Sequence, residues 1–437
     1  MSEADERCGR PRREPRLRVL VFTMVFPNTR QPLLGTFVLE RVIRLGELAD
    51  IQVIAPIAWF RAFDVRAINL NSAAILRVYH PKFWYVPKLL KYLRGVFLFL
   101  SAVGPISKAR KTFDFDLIDA HFAYPDGFAA VLLGWWFRRP VCITLRGTIV
   151  QWSKRPIGKW ICNWAINRAD RVITVAENLS ARAREGGVPE ARITTIANGI
   201  DTQRFRLISA VAARGNLNLP AQGRLIVSVG HLSPRKGFHR VIRSLPSVLC
   251  HHPDARLVIV GGRGAEEDNS AALHALVGRL NIADKVRFVG AKPPDEVAVW
   301  LAASDVFVLA SDFEGCPNVV LEAMACGRPV VATRVGDIGR MVPSFAGVLF
   351  DDPEDTAQLA GSLVAALSRN WDAEKIRAQV ASRSWNDVAQ HVLAVWRLAV
   401  KRASAGNLEN SYIDWAGPGG VSDTKPQHQA SETELRA

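Results

Sequence analysis

Thirteen short apolar runs alternate with longer helical patterns along this chain, and that rhythm constrains the fold more than any other feature. Most runs are four or five residues long, too short for buried helices and right for strands covered on both faces. The first series runs through Leu17 to Phe26, Ile51 to Ala55, Ile75 to Tyr79, Leu117 to His121, Val141 to Leu145, Arg171 to Val175 and Ile193 to Ile196. A second series starts at Leu225 to Val229 and continues through Leu257 to Val260, Val286 to Val289, Val306 to Leu309, Val330 to Thr333 and Gly347 to Phe350. Strand–helix alternation of this kind predicts parallel sheets, and the restart predicts two doubly wound α/β domains. Open sheets of this class bind ligands at the carboxyl ends of their strands, so the natural site is a cleft between the two domains.

Polar residues, a proline and glycines between Asp201 and Gly223 mark the joint. The expected organisation is a flexible tail over 1–16, a first domain over 17–205, a second over 206–384, a crossover helix over 385–403 and a disordered tail over 404–437. Val388, Val392, Val395 and Leu398 give the crossover segment its helical spacing. With 49% hydrophobic and 22% charged residues among 437, the chain can fill two cores, which excludes wholesale disorder. The most apolar uncharged stretch, Gly95 to Ile106, falls short of the roughly 20 residues that cross a bilayer. Met1 to Arg18 has no apolar core of a secretory signal, and the six cysteines form no C-x-x-C pair. A cytoplasmic protein is expected, without a disulfide framework or a zinc site.

The formal charge of +15 is concentrated in one half: residues 1–200 carry 30 Lys and Arg against 16 Asp and Glu. Arg66 to Lys111 holds nine basic residues and no acidic one. Such asymmetry implies a polyanionic partner, whether nucleic acid, an anionic membrane surface or a phosphorylated acceptor. Over Lys88 to Leu100, Lys88, Lys91 and Arg94 fall on one helical face and Leu89, Leu90, Leu93, Phe97 and Leu100 largely on the other. Bases opposite Leu and Phe suit a helix lying in a membrane interface, and an ordinary amphipathic core helix has the same pattern.

The strongest constellation runs from Ser311 to Gly327, SDFEGCPNVVLEAMACG. A strand ending at Leu309 feeds a loop, and Pro317 with Asn318 opens a helix that stops at Gly327. Asn318 and Glu322, at i and i+4, form the one polar stripe on that helix. A carboxylate on a mostly buried helix needs a partner, and Glu322 facing the cleft could accept hydrogen bonds from a ribose diol. The N–H groups at the helix start, at Asn318 and Val319, would hold a phosphate. Glu314, with Gly315 beside it in the preceding loop, would reach a second hydroxyl-bearing group.

Glu314 and Glu322 form an E-x7-E pattern, and with its surroundings it resembles the family-4 retaining glycosyltransferases of the GT-B fold. Further motifs follow in that family's order: Arg18 to Pro27 with Gly35-Thr36-Phe37, the H-x-x-x-P-x-G segment from His121 to Gly127, Asn198-Gly199-Ile200-Asp201, and Gly230 to Gly237. The resemblance covers Leu17 to about Arg402, and polysaccharide-assembling members of the teichuronic-acid type are most similar. It implies a glycosyl-transferring enzyme (hexosyl or similar) that uses a nucleotide diphosphate-sugar donor, retains configuration and requires no metal. The acceptor implied is lipid-linked or saccharide. In this reading Lys236 and Arg235 contact the diphosphate, Glu314 the donor sugar and Glu322 the ribose. On the first domain's side of the cleft, His121 is expected at the reacting centre with Glu314 and Lys236, holding the transferred sugar or the acceptor hydroxyl, and the Gly35 backbone is expected to approach the diphosphate.

Two positions depart from the family pattern. His231 stands where Arg usually follows the glycine of G-R-L, and Arg235 could replace the missing charge. Thr144-Leu145-Arg146-Gly147 replaces T-L-H-G, and Arg146, which stays protonated, could stabilise phosphate or an anionic acceptor but cannot shuttle a proton. Asn198, His231 and Gly262 complete the expected donor contacts. Asp126 is expected to cap the helix after His121. Asp114-x-Asp116 is not expected to hold metal, because it precedes a strand on the side away from the cleft. Two further functions stay in view: a nucleotide-sugar epimerase of the same fold, and a nucleic-acid-binding protein, which the basic half suggests but no recognisable reading motif supports. The favoured reading places the enzyme peripherally on the inner face of a membrane, engaged through Arg66 to Lys111, with no nucleic acid partner expected.

Overall fold

A computed structural model describes residues 16–62, 65–67, 77–85, 90–263 and 268–409, the last six by backbone alone. The expected tails over 1–16 and 404–437 lie almost wholly outside these residues. The first sheet is built from β1 (Arg18–Phe22), β2 (Asp50–Ile54), β3 (Arg77–Tyr79), β4 (Leu117–His121), β5 (Val141–Leu145), β6 (Arg171–Thr174) and β7 (Ile193–Thr195). They lie in the order β3-β2-β1-β4-β5-β6-β7, every pair parallel. The second sheet contains β8 (Leu225–Val229), β9 (Arg256–Val260), β10 (Val286–Phe288), β11 (Val306–Leu309), β12 (Val330–Thr333) and β13 (Gly347–Phe350). Its order is β10-β9-β8-β11-β12-β13, again all parallel.

Each sheet reverses its strand order once, between β1 and β4 in the first and between β8 and β11 in the second. Ligands of doubly wound sheets bind beyond the carboxyl ends of the strands at such points. The loops that leave these ends carry the sequence motifs: Thr23 to Gly35 after β1, His121 at the end of β4, Gly230 to Gly237 after β8, and Ser311 to Pro317 after β11. Two glycines, Gly147 and Gly315, meet across the domain seam. A Cβ built on Gly147 would lie 3.4 Å from the Gly315 nitrogen.

The crossover helix, Trp385–Glu409, packs its Val388, Val392 and Trp396 into the core formed by Val19, Val21, Val38 and Val42 of the first domain. It runs six residues past the expected end at 403, because Ala403, Ala405, Leu408 and Glu409 are strong helix formers that outweigh Gly406. Where the chain crosses back, the Ile200 amide donates to the Arg383 carbonyl at 2.7 Å. In the expected joint, helix Ala210–Asn216 carries Arg214, which bonds Asp305 of the second domain at 2.7 Å.

Three local expectations need correction. The apolar run Leu17 to Phe26 is a strand only to Phe22; the next residues form a loop whose Phe26 is buried in the core. Asp126 caps no helix. Its carboxylate reaches back to β1, accepting from the Thr23 hydroxyl at 3.1 Å and the Met24 amide at 2.9 Å. In the stretch around residue 90, the helix spans Arg94–Arg110 and buries Gly95, Leu98, Ala102 and Ile106. Leu93 and Leu100 are exposed, while Arg94 turns inward to the Met24 sulfur. Lys88 and Leu89, and likewise Gly264, lie outside the described residues. Among those described, no helix is long and apolar enough to cross a membrane.

Candidate active site

On the second domain, side chains from the loops after β8 and β11 converge on one oxygen. Glu314 Oε1 accepts from Lys236 Nζ at 2.7 Å, Ser311 Oγ at 2.8 Å and Arg235 Nη1 at 3.4 Å. Burial pushes the Glu314 carboxyl up, but Lys236 and Arg235 outweigh it and hold the group below its ordinary value. Arg235 is held again through Phe313, donating to its carbonyl at 3.1 Å and lying 4.9 Å from its ring centre. Gly237 makes this turn possible: at φ +71° its Cβ would fall 1.8 Å from the Ala310 carbonyl oxygen. His231 lies in the same loop, its basicity lowered by burial and by Lys236 and Arg235. Leu232 donates to the Gly262 carbonyl at 2.9 Å, bringing Gly262 alongside.

The helix after the Glu314 loop is Asn318–Ala325, with Pro317 at its N-cap and its apolar side chains from Val320 onward buried. Its polar stripe is half-buried and turned to the first domain. Burial lifts the Glu322 carboxyl to about 7, against the pull of Arg204. Arg204 in turn ties the domains together, bonding Glu40 at 2.9 Å and Asp295 at 2.8 Å. Glu322 therefore sits next to an interdomain clasp that the sequence reading did not contain.

On the first domain a buried polar chain leads from the sheet to that same helix. Asp119 Oδ2 lies 3.5 Å from Arg41 Nη2 and 3.5 Å from His121 Nε2. His121 Nδ1 faces Arg146 Nη2 at 3.4 Å, and Arg146 Nη1 donates to Asn198 Oδ1 at 3.3 Å. Asn198 Nδ2 then donates to Asn318 Oδ1 across the seam at 2.7 Å. Because a guanidinium can only donate, His121 Nδ1 must accept, which puts the imidazole proton on Nε2 toward Asp119. Burial brings the His121 pKa down to about 4, so the ring is neutral at pH 7. Burial, with Arg41 adding to it, lowers Arg146 to about 9, which leaves it charged. The Arg146 guanidinium also lies 4.3 Å from the Phe37 ring centre.

Most of the anticipated residues thus come together at the two switch points. His121, expected at the reacting centre, is fully buried, and both its ring nitrogens face protein groups. At Gly35, φ +70° and a Cβ that would lie 2.4 Å from the Val25 carbonyl oxygen require glycine in the loop. Three residues escaped the sequence reading but left signals in it. Asp119 is two residues from His121 on one strand, hence on the same face. Arg41 interrupts the buried stripe Val38, Val42, Leu45. Ser311 stands three residues before Glu314 in the loop. Asp114 and Asp116 are ion-paired with Arg110, Arg139 and Arg18. Among the described residues no group of three or more His, Cys, Asp or Glu is placed to hold a metal ion.

Comparison with known proteins fits this architecture. The model of Glycosyltransferase Family 4 matches residues 34–204, and that of glycosyl transferases group 1 matches 212–383. The chain belongs to glycosyltransferase family 4. A D-inositol 3-phosphate glycosyltransferase of Acidothermus cellulolyticus is 35% identical over 59% of this chain and 60% of its own length. A putative teichuronic acid biosynthesis glycosyltransferase, TuaC of Bacillus subtilis, is 29% identical over 79% of this chain and 88% of its own length. The first of these matches covers less than two thirds of the relative. The crystal structure of Anabaena Alr3699/HepE in complex with UDP and glucose superposes with a TM-score of 0.65, at 20% identity, covering 90% of this chain and 99% of that one. That likeness shows the fold, GT-B.

Proposed function

We propose that this glycosyltransferase moves a sugar from a nucleotide diphosphate donor to a lipid-linked or saccharide acceptor, with retention and without a metal, in the synthesis of a cell-surface polysaccharide or glycolipid. The observation that carries the reading is the convergence of Lys236, Arg235 and Ser311 on Glu314 at the switch point of the second sheet, beside the start of helix Asn318–Ala325. This cluster carries two cations against one carboxylate, a surplus suited to a diphosphate. All three donors meet Oε1, so a hydroxyl of the donor sugar would bond Oε2.

In the reaction the anomeric carbon–oxygen bond breaks and the electron pair leaves with the diphosphate. Lys236, Arg235 and the N–H groups at Asn318 and Val319 would stabilise the charge that develops there. The acceptor oxygen bonds the anomeric carbon on the face the leaving group departs from, and its proton passes to a phosphate oxygen. Glu322 would bind the ribose; His121, being buried, would act by positioning Arg146 and through it Asn198 and the helix start. The ligand of HepE, UDP, supports a nucleotide donor of this kind. The basic first half supports work at an anionic membrane surface on the cytoplasmic side, where a lipid-linked acceptor would be met.

Calorimetric titration of UDP and GDP in EDTA tests the donor assignment. One nucleotide should bind, and Glu322→Ala should weaken it about tenfold, or about 1.4 kcal/mol. No binding of either, or no effect of the substitution, would overturn it. Incubating the donor sugar alone separates transfer from epimerisation, since an epimerase forms its product without an acceptor.

A further inference from the structure

Exposed large apolar side chains are distributed unevenly over the molecule. Of the eleven among the described residues, nine lie between Trp59 and Trp160 on the first domain, and the exceptions are Val211 and Leu398. Five of the nine are tryptophans, and their contacts join them into one band. Trp59 stacks on Trp84 with ring centres 5.0 Å apart. The Trp84 amide donates to Ser101 Oγ of helix Arg94–Arg110, next to exposed Leu100. Phe99 of that helix meets Trp136 of the neighbouring helix Phe128–Phe137 edge-on at 6.2 Å, and Trp135 meets Trp164 of helix Pro156–Arg168 at 5.5 Å. One turn earlier on the last helix, Trp160 is 64% exposed. It borders an open depression of about 460 Å³.

The charge that these helices themselves carry has one sign, and Asp114 beyond their ends is taken up by Arg110 and Arg139. None of the three helices contains an Asp or Glu, and Lys108, Arg138 and Lys159 are exposed with no ion pair among the described residues. A soluble surface seldom leaves so much contiguous apolar area uncovered without a partner. Tryptophan rings rimmed by Lys and Arg are matched by the headgroup layer of an anionic bilayer, where the rings sit at the apolar boundary and the bases meet phosphate. We infer that this tryptophan band is the surface by which the enzyme docks on anionic lipid, an inference that rests on the membrane reading above and relocates it. Of the helical face expected around residues 88–100, Leu93 and Leu100 are exposed, while Arg94 turns to Met24. The band also adjoins the cleft: the Gly95 amide donates to the Tyr124 hydroxyl at 3.1 Å, and Tyr124 lies in the loop directly after His121. Docking there would set the first domain's wall of the cleft against the bilayer.

Co-sedimentation of the full chain with vesicles of phosphatidylglycerol or of phosphatidylcholine tests this, using wild type and the triple variant Trp84→Ser, Trp136→Ser, Trp160→Ser. All three side chains are more than half exposed, and an unchanged circular-dichroism melt confirms that the fold is kept. The expected result is binding of wild type to phosphatidylglycerol vesicles and a loss of about tenfold or more in the variant. Equal binding by the variant would overturn the band while leaving the membrane reading standing. Failure of the wild type to bind would overturn both. If sedimentation in solution showed the wild type to be a dimer that the three substitutions split, the band would be a subunit interface and the proposal would fall.

Discussion

The two walls of the cleft carry the same arithmetic in opposite settings. On the second domain Lys236 and Arg235 face Glu314, and on the first Arg41 and Arg146 accompany Asp119 around a neutral His121. Each wall has two cations for one carboxylate. On the second domain the contacts are 2.7 and 2.8 Å at their tightest, and Arg235 is 29% exposed. On the first domain every link up to Asn198 is 3.3 to 3.5 Å, and Arg41 and Asp119 are almost completely buried. Charge that reaches solvent can touch a ligand. Buried charge can only orient the groups between itself and the ligand, here Asn198 and Asn318.

The hardest test of this contrast is Asp119→Asn, which leaves two buried guanidinium groups with no counter-charge. It should cost about 3–5 kcal/mol of stability, read as a drop in the urea midpoint. Glu314→Gln should cost distinctly less, because Lys236 and Arg235 can turn to water; equal losses would erase the distinction between the walls. In turnover the order reverses. Lys236→Ala should lower kcat by about 100- to 1000-fold, or ~2.7–4 kcal/mol, with little change in melting temperature. A smaller effect than that of His121→Gln would mean that the buried wall, not the exposed one, meets the leaving group.

Gly35→Ala sharpens the comparison at the backbone. A left-handed residue with its Cβ 2.4 Å from the Val25 oxygen should lose about 1–3 kcal/mol and displace helix Thr36–Gly46, which carries Phe37 and Arg41.

The pH responses of the walls should differ as well. His121 has a folded pKa of about 4 against an ordinary 6.5, so the unfolded chain binds more protons between those values. Stability should therefore fall as pH drops through that window, and His121→Gln should flatten the fall. Glu322 is raised from 4.5 to about 7, so its carboxylate forms only as pH rises past neutrality. Affinity for a nucleotide diphosphate-sugar, whose phosphodiester groups do not titrate there, should rise modestly from pH 6 to 8 in wild type and stay level in Glu322→Gln.

The strands of both sheets were legible because burial on both faces makes each an unbroken apolar run, as in Val141–Leu145 or Val306–Leu309. The second domain's site was legible for a related reason. Glu314, Asn318 and Glu322 lie within nine residues of one another just past a strand end, so local spacing places them together at the strand end that shares a switch point with the Lys236 loop. The first domain's site depends on long-range partners. Asp126 sits in a turn whose local chemistry suggests a helix cap, yet its carboxylate is taken by Thr23, 103 residues earlier. Arg41 comes to Asp119 from a helix 78 positions away, and nothing near it in the chain specifies the pairing. Leu17 to Phe26 was too long as a strand because loop residues such as Phe26 are themselves core.

The returning helix has a consequence for the order in which the chain can complete itself. One face of the first sheet is sealed by Trp385, Val388, Val392 and Trp396, which are made after the whole of the second domain. The second domain's strands end with β13 at Phe350, and the helices that cover them end at Ala381. During synthesis from the N-terminus the later domain can therefore close its core before the earlier one does. Until that returning helix emerges, Val19, Val21 and Val53 have helix Thr36–Gly46 beside them but lack Val392 and Trp396, and the first domain waits on the ribosome as an unfinished half.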